Sequence, residues 1–197
     1  MQLLYSPMSP FARKVRVVVH ELGLADRLTL TLIDPWTDEA LRADNPLSKV
    51  PTLRTDDGLT LYDSPVLCEY LEALGGGGVI PSAGAERWRA LTIQALADGM
   101  GDAAVRLVRE RQRPEVERHA DLMTRQTAAL TAGLDALEAD VPPAARFQIG
   151  EIAVAVQLGY FDARAVIDWR PGRPRLTAWF EAAARRESMI ATAPKQA

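Results

Sequence analysis

The chain has 197 residues, 48% of them apolar and 25% charged, which allows a packed core in one large domain or two small ones and excludes global disorder. Its 23 basic and 26 acidic residues leave a net charge of −3, so nothing in the composition points to a nucleic-acid partner, and its one cysteine, Cys68, excludes an internal disulfide. No apolar run reaches the ~20 residues of a membrane span, the N-terminus lacks the basic-then-apolar layout of a secretion signal, and a lone thiol fits reducing surroundings such as the cytoplasm.

Residues 2–5 read as a short strand. The stretch Ser6-Pro7-Met8-Ser9-Pro10 follows, in which Ser9 is a good N-cap and Pro10 suits the first position of a helix. Phe11, Val15, Val18, Val19 and Leu22 then recur at helical spacing, and Gly23 stops the helix. Leu28, Leu30 and Leu32 alternate with Thr29 and Thr31, which predicts a second strand, parallel to the first as in a βαβ unit. Residues 33–48 are expected to be irregular or only briefly helical. Thr52-Leu53-Arg54 and Leu59-Thr60-Leu61-Tyr62 flank the turn Asp56-Asp57-Gly58, which predicts an antiparallel hairpin. Asp63-Ser64-Pro65 repeats the cap-then-proline signature, and Leu67, Tyr70, Leu71 and Leu74 give the apolar face of the next helix.

Four consecutive glycines, Gly75–Gly78, then break the pattern, because each costs a helix about 1 kcal/mol relative to alanine. Domain limits follow: 1–76, a linker at 77–86, and an all-helical domain at 87–197. In that second part, helices are predicted over 87–112, which Pro114 interrupts, over 115–139, over 149–163 and over 174–187. The 149–163 segment is apolar around most of its circumference and is expected to be central and buried. Its start, Gln148-Ile149-Gly150-Glu151, is half of a capping box: Glu151 can reach back to the N-cap N–H, whereas Gln148 is a poor N-cap. His20 and His119 stand far apart without a Cys or carboxylate pattern around them, so no metal is expected.

A thioredoxin-like βαβ-ββα domain followed by an all-helical domain resembles the glutathione transferase superfamily. Asn45-Pro46-Leu47-Ser48-Lys49-Val50-Pro51-Thr52-Leu53 is similar to that family's segment around a cis-proline. Asp63-Ser64 and the helix after it are similar to its acidic-Ser glutathione motif, and residues 147–162 to its buried central helix. The spacing of Ser9-Pro10-Phe11 and Arg13 places Ser9 where related branches carry a cysteine. Residues 185–189 lack a proline that the resemblance would lead one to expect, and nothing functional follows from its absence.

The resemblance implies glutathione as co-substrate, with Phe11, Lys49, Val50, Pro51, Asp63 and Ser64 binding it. A cis bond before Pro51 would turn the Val50 backbone outward as an unpaired strand edge, to which the cysteinyl unit of glutathione adds. Ser64 and the helix N-terminus behind it would take the γ-glutamyl carboxylate, Asp63 the γ-glutamyl ammonium, and Lys49 the glycyl carboxylate. Each has a plainer reading as a strand-entry proline, an N-cap pair and a solvated lysine.

Ser9 is the candidate catalytic residue. Its hydroxyl and the positive helix end would lower the pKa of a glutathione thiol from about 8.5, since the thiolate is the nucleophile. Ser6 and Tyr5 remain rivals in the same loop, as does a serine that only caps. Serine cannot form a mixed disulfide with glutathione, and Cys68 reads as a small core residue, so exchange through a protein cysteine is disfavoured. Met8, Trp36, Met100 and Arg106 are candidates for the acceptor pocket. The expected activity is conjugation of glutathione to a small hydrophobic electrophile, in a detoxifying role, or reduction of a peroxide, by a cytoplasmic homodimer without membrane or nucleic-acid partners. The alternatives are a non-catalytic binding module of the same fold, or a specialised glutathione-dependent dehalogenase or isomerase.

Overall fold

In the computed structural model, residues 1–143 and 146–194 are described; the last three positions of the predicted helical domain, 195–197, lie outside them. By its contacts the chain divides into two compact units, Met1–Arg87 with the segment that begins at Glu187, and Trp88–Arg186.

The first unit holds strands β1 (Gln2–Tyr5), β2 (Thr29–Leu32), β3 (Thr52–Arg54) and β4 (Thr60–Tyr62), with helices α1 (Pro10–Glu21), α2 (Leu41–Asp44) and α3 (Ser64–Gly75) between and after them. The sheet order is β2-β1-β3-β4; β2 runs parallel to β1, and the two remaining pairings are antiparallel. Leu3 lies opposite Leu30 and Leu53, so these side chains share one face; Gln2, Leu4, Thr52 and Arg54 share the other. Leu3 and Leu53 are fully buried, each worth about 1.5–3 kcal/mol of transfer from water. Helix α2 is tied to the Thr52/Arg54 face by a two-pronged Arg54–Asp44 pair at 2.8 and 2.6 Å. That guanidinium holds the Asp44 carboxyl below its ordinary pKa.

Alternation along β2 does not translate into burial. Leu30 is 43% and Leu32 64% exposed. β2 is an edge strand, and half of its surroundings is solvent whichever way a side chain points.

The second unit holds most of α4 (Gly84–Gln112), with α5 (Ala120–Ala139), α6 (Ile149–Ala163) and α7 (Pro174–Ala183); α8 (Glu187–Ala191) belongs to the first unit. Helix α6 is buried nearly throughout, as its composition predicts. Its start is better capped than Gln148 suggests: the Gln148 N–H donates to Glu151 at 3.0 Å, and Arg146 Nε donates to the other Glu151 oxygen at 2.9 Å. The carboxylate, 1% exposed, is thus both used as a cap and neutralised.

Three helix predictions need correction. Helix α4 starts at Gly84, inside the stretch predicted as linker. The helix predicted over 115–139 is a 3-10 turn, Glu115–Glu117, followed by α5 from Ala120. The break is stabilised by bonds between side chains and backbone: the His119 N–H donates to the Glu110 carboxylate at 2.7 Å, and Arg118 donates to the carbonyls of Arg113 and Arg111 at 3.1 and 3.0 Å. The helix predicted over 174–187 ends at Ala183: the chain turns at Arg185-Arg186, and a further, unpredicted helix, α8, packs on α1. Arg13 of α1, 7% exposed, donates from Nη2 to the Met189 carbonyl at 3.1 Å, and Ser188 donates to Glu21 at 2.5 Å. Burial pulls the Arg13 guanidinium down to about 10, so it remains a cation at neutral pH.

Candidate functional site

Strand register gathers the sequence-predicted residues of the first unit. Tyr5 ends β1 beside Leu32, the end of β2; Leu4 pairs with Thr52, the start of β3; Thr52 pairs with Tyr62, the end of β4. The segments carrying Ser9, Trp36, Lys49-Val50-Pro51 and Asp63-Ser64 therefore all leave the same end of the sheet, although up to 55 positions separate Ser9 from Ser64. Such an end, where loops meet helix N-termini, is where open sheets present ligand sites.

Ser9 ends the turn Ser6-Pro7-Met8-Ser9, in which its N–H donates to the Ser6 carbonyl at 3.0 Å. Its backbone is extended (φ −77°, ψ 116°), as an N-cap requires, and its Oγ accepts from the Ala12 N–H at 3.2 Å. Capping uses an oxygen lone pair and leaves the hydroxyl proton free to donate elsewhere. Phe11 and Met8 flank this cap and are half-buried. Among the rivals, Ser6 contributes its carbonyl to the turn, and the ring of Tyr5 lies under the Arg16 guanidinium, 5.2 Å from carbon to centroid.

The Val50–Pro51 peptide bond is cis. Among the described residues, the backbone N–H and C=O of Val50 make no hydrogen bond, while the neighbouring Lys49 carbonyl accepts from Asn45 Nδ2 at 2.9 Å and from the Thr52 hydroxyl at 3.0 Å. The Lys49 side chain is exposed. Ser48, just before it, has φ +51°, a left-handed conformation uncommon outside glycine.

Asp63 is the N-cap of α3 at φ +76°, ψ 125°, and its exposed carboxylate makes no capping bond. Ser64 opens the helix. It is 1% exposed, and its Oγ is buried without a hydrogen-bond partner. A strained cap next to an orphaned hydroxyl is a pair of local costs that the fold does not relieve. Pro65 at the second helical position supplies no N–H, so the first turn of α3 offers fewer backbone donors.

The acceptor-pocket candidates fare less evenly. Trp36 is 68% exposed, its N–H bound to Asp34 at 3.0 Å. Met100 and Arg106 belong to the second unit. Met100 is 4% exposed and so close to Gly133 that a Cβ there would lie 2.6 Å from its sulfur; this is the packing of a core residue. Arg106 is exposed. Cys68 is fully buried, as expected of a small core side chain.

Asn45 and Thr52 are what the residue-by-residue reading missed. Both are buried and hold the Lys49 carbonyl. The signal was present as the dipeptide Asn45-Pro46, a turn starter whose side chain bonds the backbone two residues on. Among the described residues, no group of three His, Cys, Asp or Glu side chains is placed to hold a metal ion, and no helix is long and apolar enough to cross a membrane.

Known proteins similar to this one match it over nearly its whole length. The family model described as glutathione S-transferase, N-terminal domain matches residues 8–74, and the one described as glutathione S-transferase, C-terminal domain matches residues 108–182. The uncharacterized GST-like protein YibF of Escherichia coli K12 is 34% identical over 204 aligned positions, which span all of both chains. Among solved structures, a glutathione transferase family member from Pseudomonas fluorescens Pf-5 with bound glutathione is 40% identical with a TM-score of 0.93, over 99% of each chain. A glutathione S-transferase from Methylobacillus flagellatus KT, also with glutathione bound, is 35% identical with a TM-score of 0.89, over 98% of this chain and 99% of its own. The chain therefore belongs to the glutathione S-transferase family, with that family's two-domain fold.

Proposed function

We propose that this protein binds glutathione at the sheet end described above and uses its thiolate as a nucleophile. The observation that carries the reading is Ser64: a hydroxyl 1% exposed and without a partner, at the open N-terminus of α3, awaits an acceptor such as the γ-glutamyl carboxylate. The free backbone groups of Val50 fit the antiparallel addition of the cysteinyl unit. Exposed Lys49 and Asp63 supply the charges opposite to the glycyl carboxylate and the γ-glutamyl ammonium, and Phe11 flanks the thiol end. The relatives with bound glutathione support the same assignment.

Ser9 is the catalytic residue in this reading. Its lone pair is committed to Ala12 and its proton is not, so it donates to the sulfur at the positive end of α1 and stabilises the anion. The thiol proton leaves to solvent. The thiolate then forms a C–S bond to a small hydrophobic electrophile, whose leaving group departs with the electron pair of the broken bond. With a peroxide, the O–O bond breaks instead, and two glutathione molecules are oxidised to the disulfide while the peroxide is reduced to water and alcohol. Met8 and Trp36 are the first unit's candidates beside the acceptor; the packed Met100 has no part in this reading, and Arg106 none that its exposure alone supports.

The working form we propose is a cytoplasmic homodimer in a detoxifying role. Tyr62 of β4 and Val66 of α3, 38% and 47% exposed, are apolar surface that a second copy would cover. Sedimentation at micromolar concentration checks the dimer. The decisive test of the function is ultraviolet titration of the thiolate of bound glutathione in wild type and in Ser9→Ala. A wild type that binds no glutathione at millimolar concentration sinks the enzyme reading; equal ionisation in the two proteins reduces Ser9 to a cap.

A further inference from the structure

Asn45 follows α2 and is 2% exposed, yet every polar group it owns is engaged. Its backbone N–H donates to the Leu41 carbonyl and its own carbonyl accepts from the Ser48 N–H, both at 2.8 Å. Its side-chain Oδ1 accepts from the Leu47 N–H at 3.0 Å. Its Nδ2 donates to the Lys49 carbonyl at 2.9 Å and, less closely, to Thr52 Oγ1 at 3.4 Å. Thr52 passes the contact on by donating to the same Lys49 carbonyl at 3.0 Å. One buried amide therefore reaches across the chain from Leu47 to Thr52, from the turn before Lys49-Val50-Pro51 to the strand after it.

The chemistry is specific to an amide. One side of the group must accept from an N–H and the other must donate to a carbonyl and a hydroxyl, which neither a carboxylate nor an apolar side chain can do. A segment that includes Ser48 at φ +51° is held there by its surroundings, since that conformation is not what a free serine prefers. We infer that Asn45 is a positioning residue for glutathione: its side-chain amide orients the Lys49-Val50-Pro51 backbone, and so presents both the Val50 strand edge and the Lys49 cation to the tripeptide. This deepens the glutathione reading given above and rests on it.

The test compares wild type with Asn45→Ala, Asn45→Asp and Thr52→Val, with glutathione affinity measured by calorimetry well below each protein's melting temperature. Asn45→Ala should raise the Kd for glutathione by about threefold to tenfold, as loss of one or two buried hydrogen bonds at a binding loop implies. Asn45→Asp should do no better, because it keeps the oxygen facing Leu47 but sets a second oxygen against the Lys49 carbonyl. Thr52→Val should move affinity in the same direction by a smaller factor. The KM for glutathione should rise with kcat nearly constant, and the pKa of the bound thiol should stay at its wild-type value, since Ser9 lies on another segment. Lys49→Ala should cost less affinity in the Asn45→Ala background than in wild type, because a lysine no longer aimed has less to lose.

Folded Asn45 variants that bind glutathione as wild type does, with only a lowered melting temperature, overturn the proposal and leave Asn45 a stabilising residue. So does failure of both Asn45 variants and Thr52→Val to fold. Wild type that fails to bind glutathione overturns the glutathione reading itself, which no variant result can mimic.

Discussion

The sheet end of the first unit and the helical packing of the second carry their local costs differently. Around Lys49 and Ser64, the chain holds two non-glycine residues at positive φ, Ser48 and Asp63, and one buried hydroxyl without a partner. In the second unit, close approach is arranged with glycines: a Cβ at Gly150 would stand 2.9 Å from the Ala90 carbonyl oxygen and from Ile93, and one at Gly101 would stand 2.4 Å from Gln157. The contrast teaches that conformational cost at the sheet end falls on residues of the candidate site, whereas the glycines of the second unit serve contact between helices. Gln157 and Ala165 are the exceptions there: Gln157 is 1% exposed with both side-chain polar atoms unpartnered, nothing else around it pointing to a ligand, and Ala165 is a non-glycine residue at φ +46°.

The sharpest way to separate the two regions is by substitutions that act chiefly on chemistry or chiefly on stability. Ser9→Ala should raise the pKa of the bound glutathione thiol by about 1–2 units and lower turnover at pH 7 by roughly 10–100-fold, with a stability loss of only about 1 kcal/mol from the missing cap of α1. The pH–rate profile reads this directly, with activity recovering as pH rises through the new thiol pKa. Gly150→Ala should do the opposite: about 1–3 kcal/mol lost in urea unfolding, because the new methyl meets backbone, with glutathione affinity unchanged while the protein is folded.

Ser64→Ala tests the comparison more closely. Removing a hydroxyl that has no protein partner should leave stability unchanged or raise it by up to about 1 kcal/mol, while the Kd for glutathione rises by about tenfold. A variant that loses stability and keeps its affinity would place Ser64 with the structural residues and remove the contrast. The smallest effect belongs to Ser48→Gly. Relief of the left-handed conformation exceeds the greater chain entropy of glycine by a few tenths of a kcal/mol, so the urea midpoint should rise slightly. A fall would mean that the Ser48 hydroxyl, 3.5 Å from the Pro35 carbonyl, contributes more than its length suggests.

How far the sequence could be read follows from the range of the interactions involved. Ser9-Pro10 is a start signal carried by adjacent residues, and α1 begins at it with Ser9 as its cap; at Ser64-Pro65 the helix starts one residue earlier than the signal suggests, with Asp63 as N-cap and Ser64 as the first helical residue. The hairpin of β3 and β4 was legible for the same reason, since its turn lies between its strands. By contrast, α8 was not predicted: the last helix was read as ending at 187, where α8 begins. Arg13 lies 176 positions from Met189, and no local pattern announces that pairing. The break before α5 is held by Glu110 and Arg118, side chains that satisfy backbone groups nine and seven positions away. Within the site, charged and hydroxylic residues were visible by type, but Asn45 and Thr52 were not, because their contribution is a set of buried bonds and not an exposed group.

By itself the sequence determined the four strands, most of the helices, the Ser9 cap of α1 and, through Asn45–Leu53 and Asp63-Ser64, which family the chain resembles. Those features depend on residues a few positions apart, and their energetics are local. Only the tertiary structure decided that the segments bearing Ser9, Val50 and Ser64 leave one end of one sheet, that Ser64 Oγ is buried without a partner, and that Leu30 and Leu32 stay exposed on an edge. Register and burial are properties of chain segments brought together, and the sequence of any one segment contains no term for its neighbour.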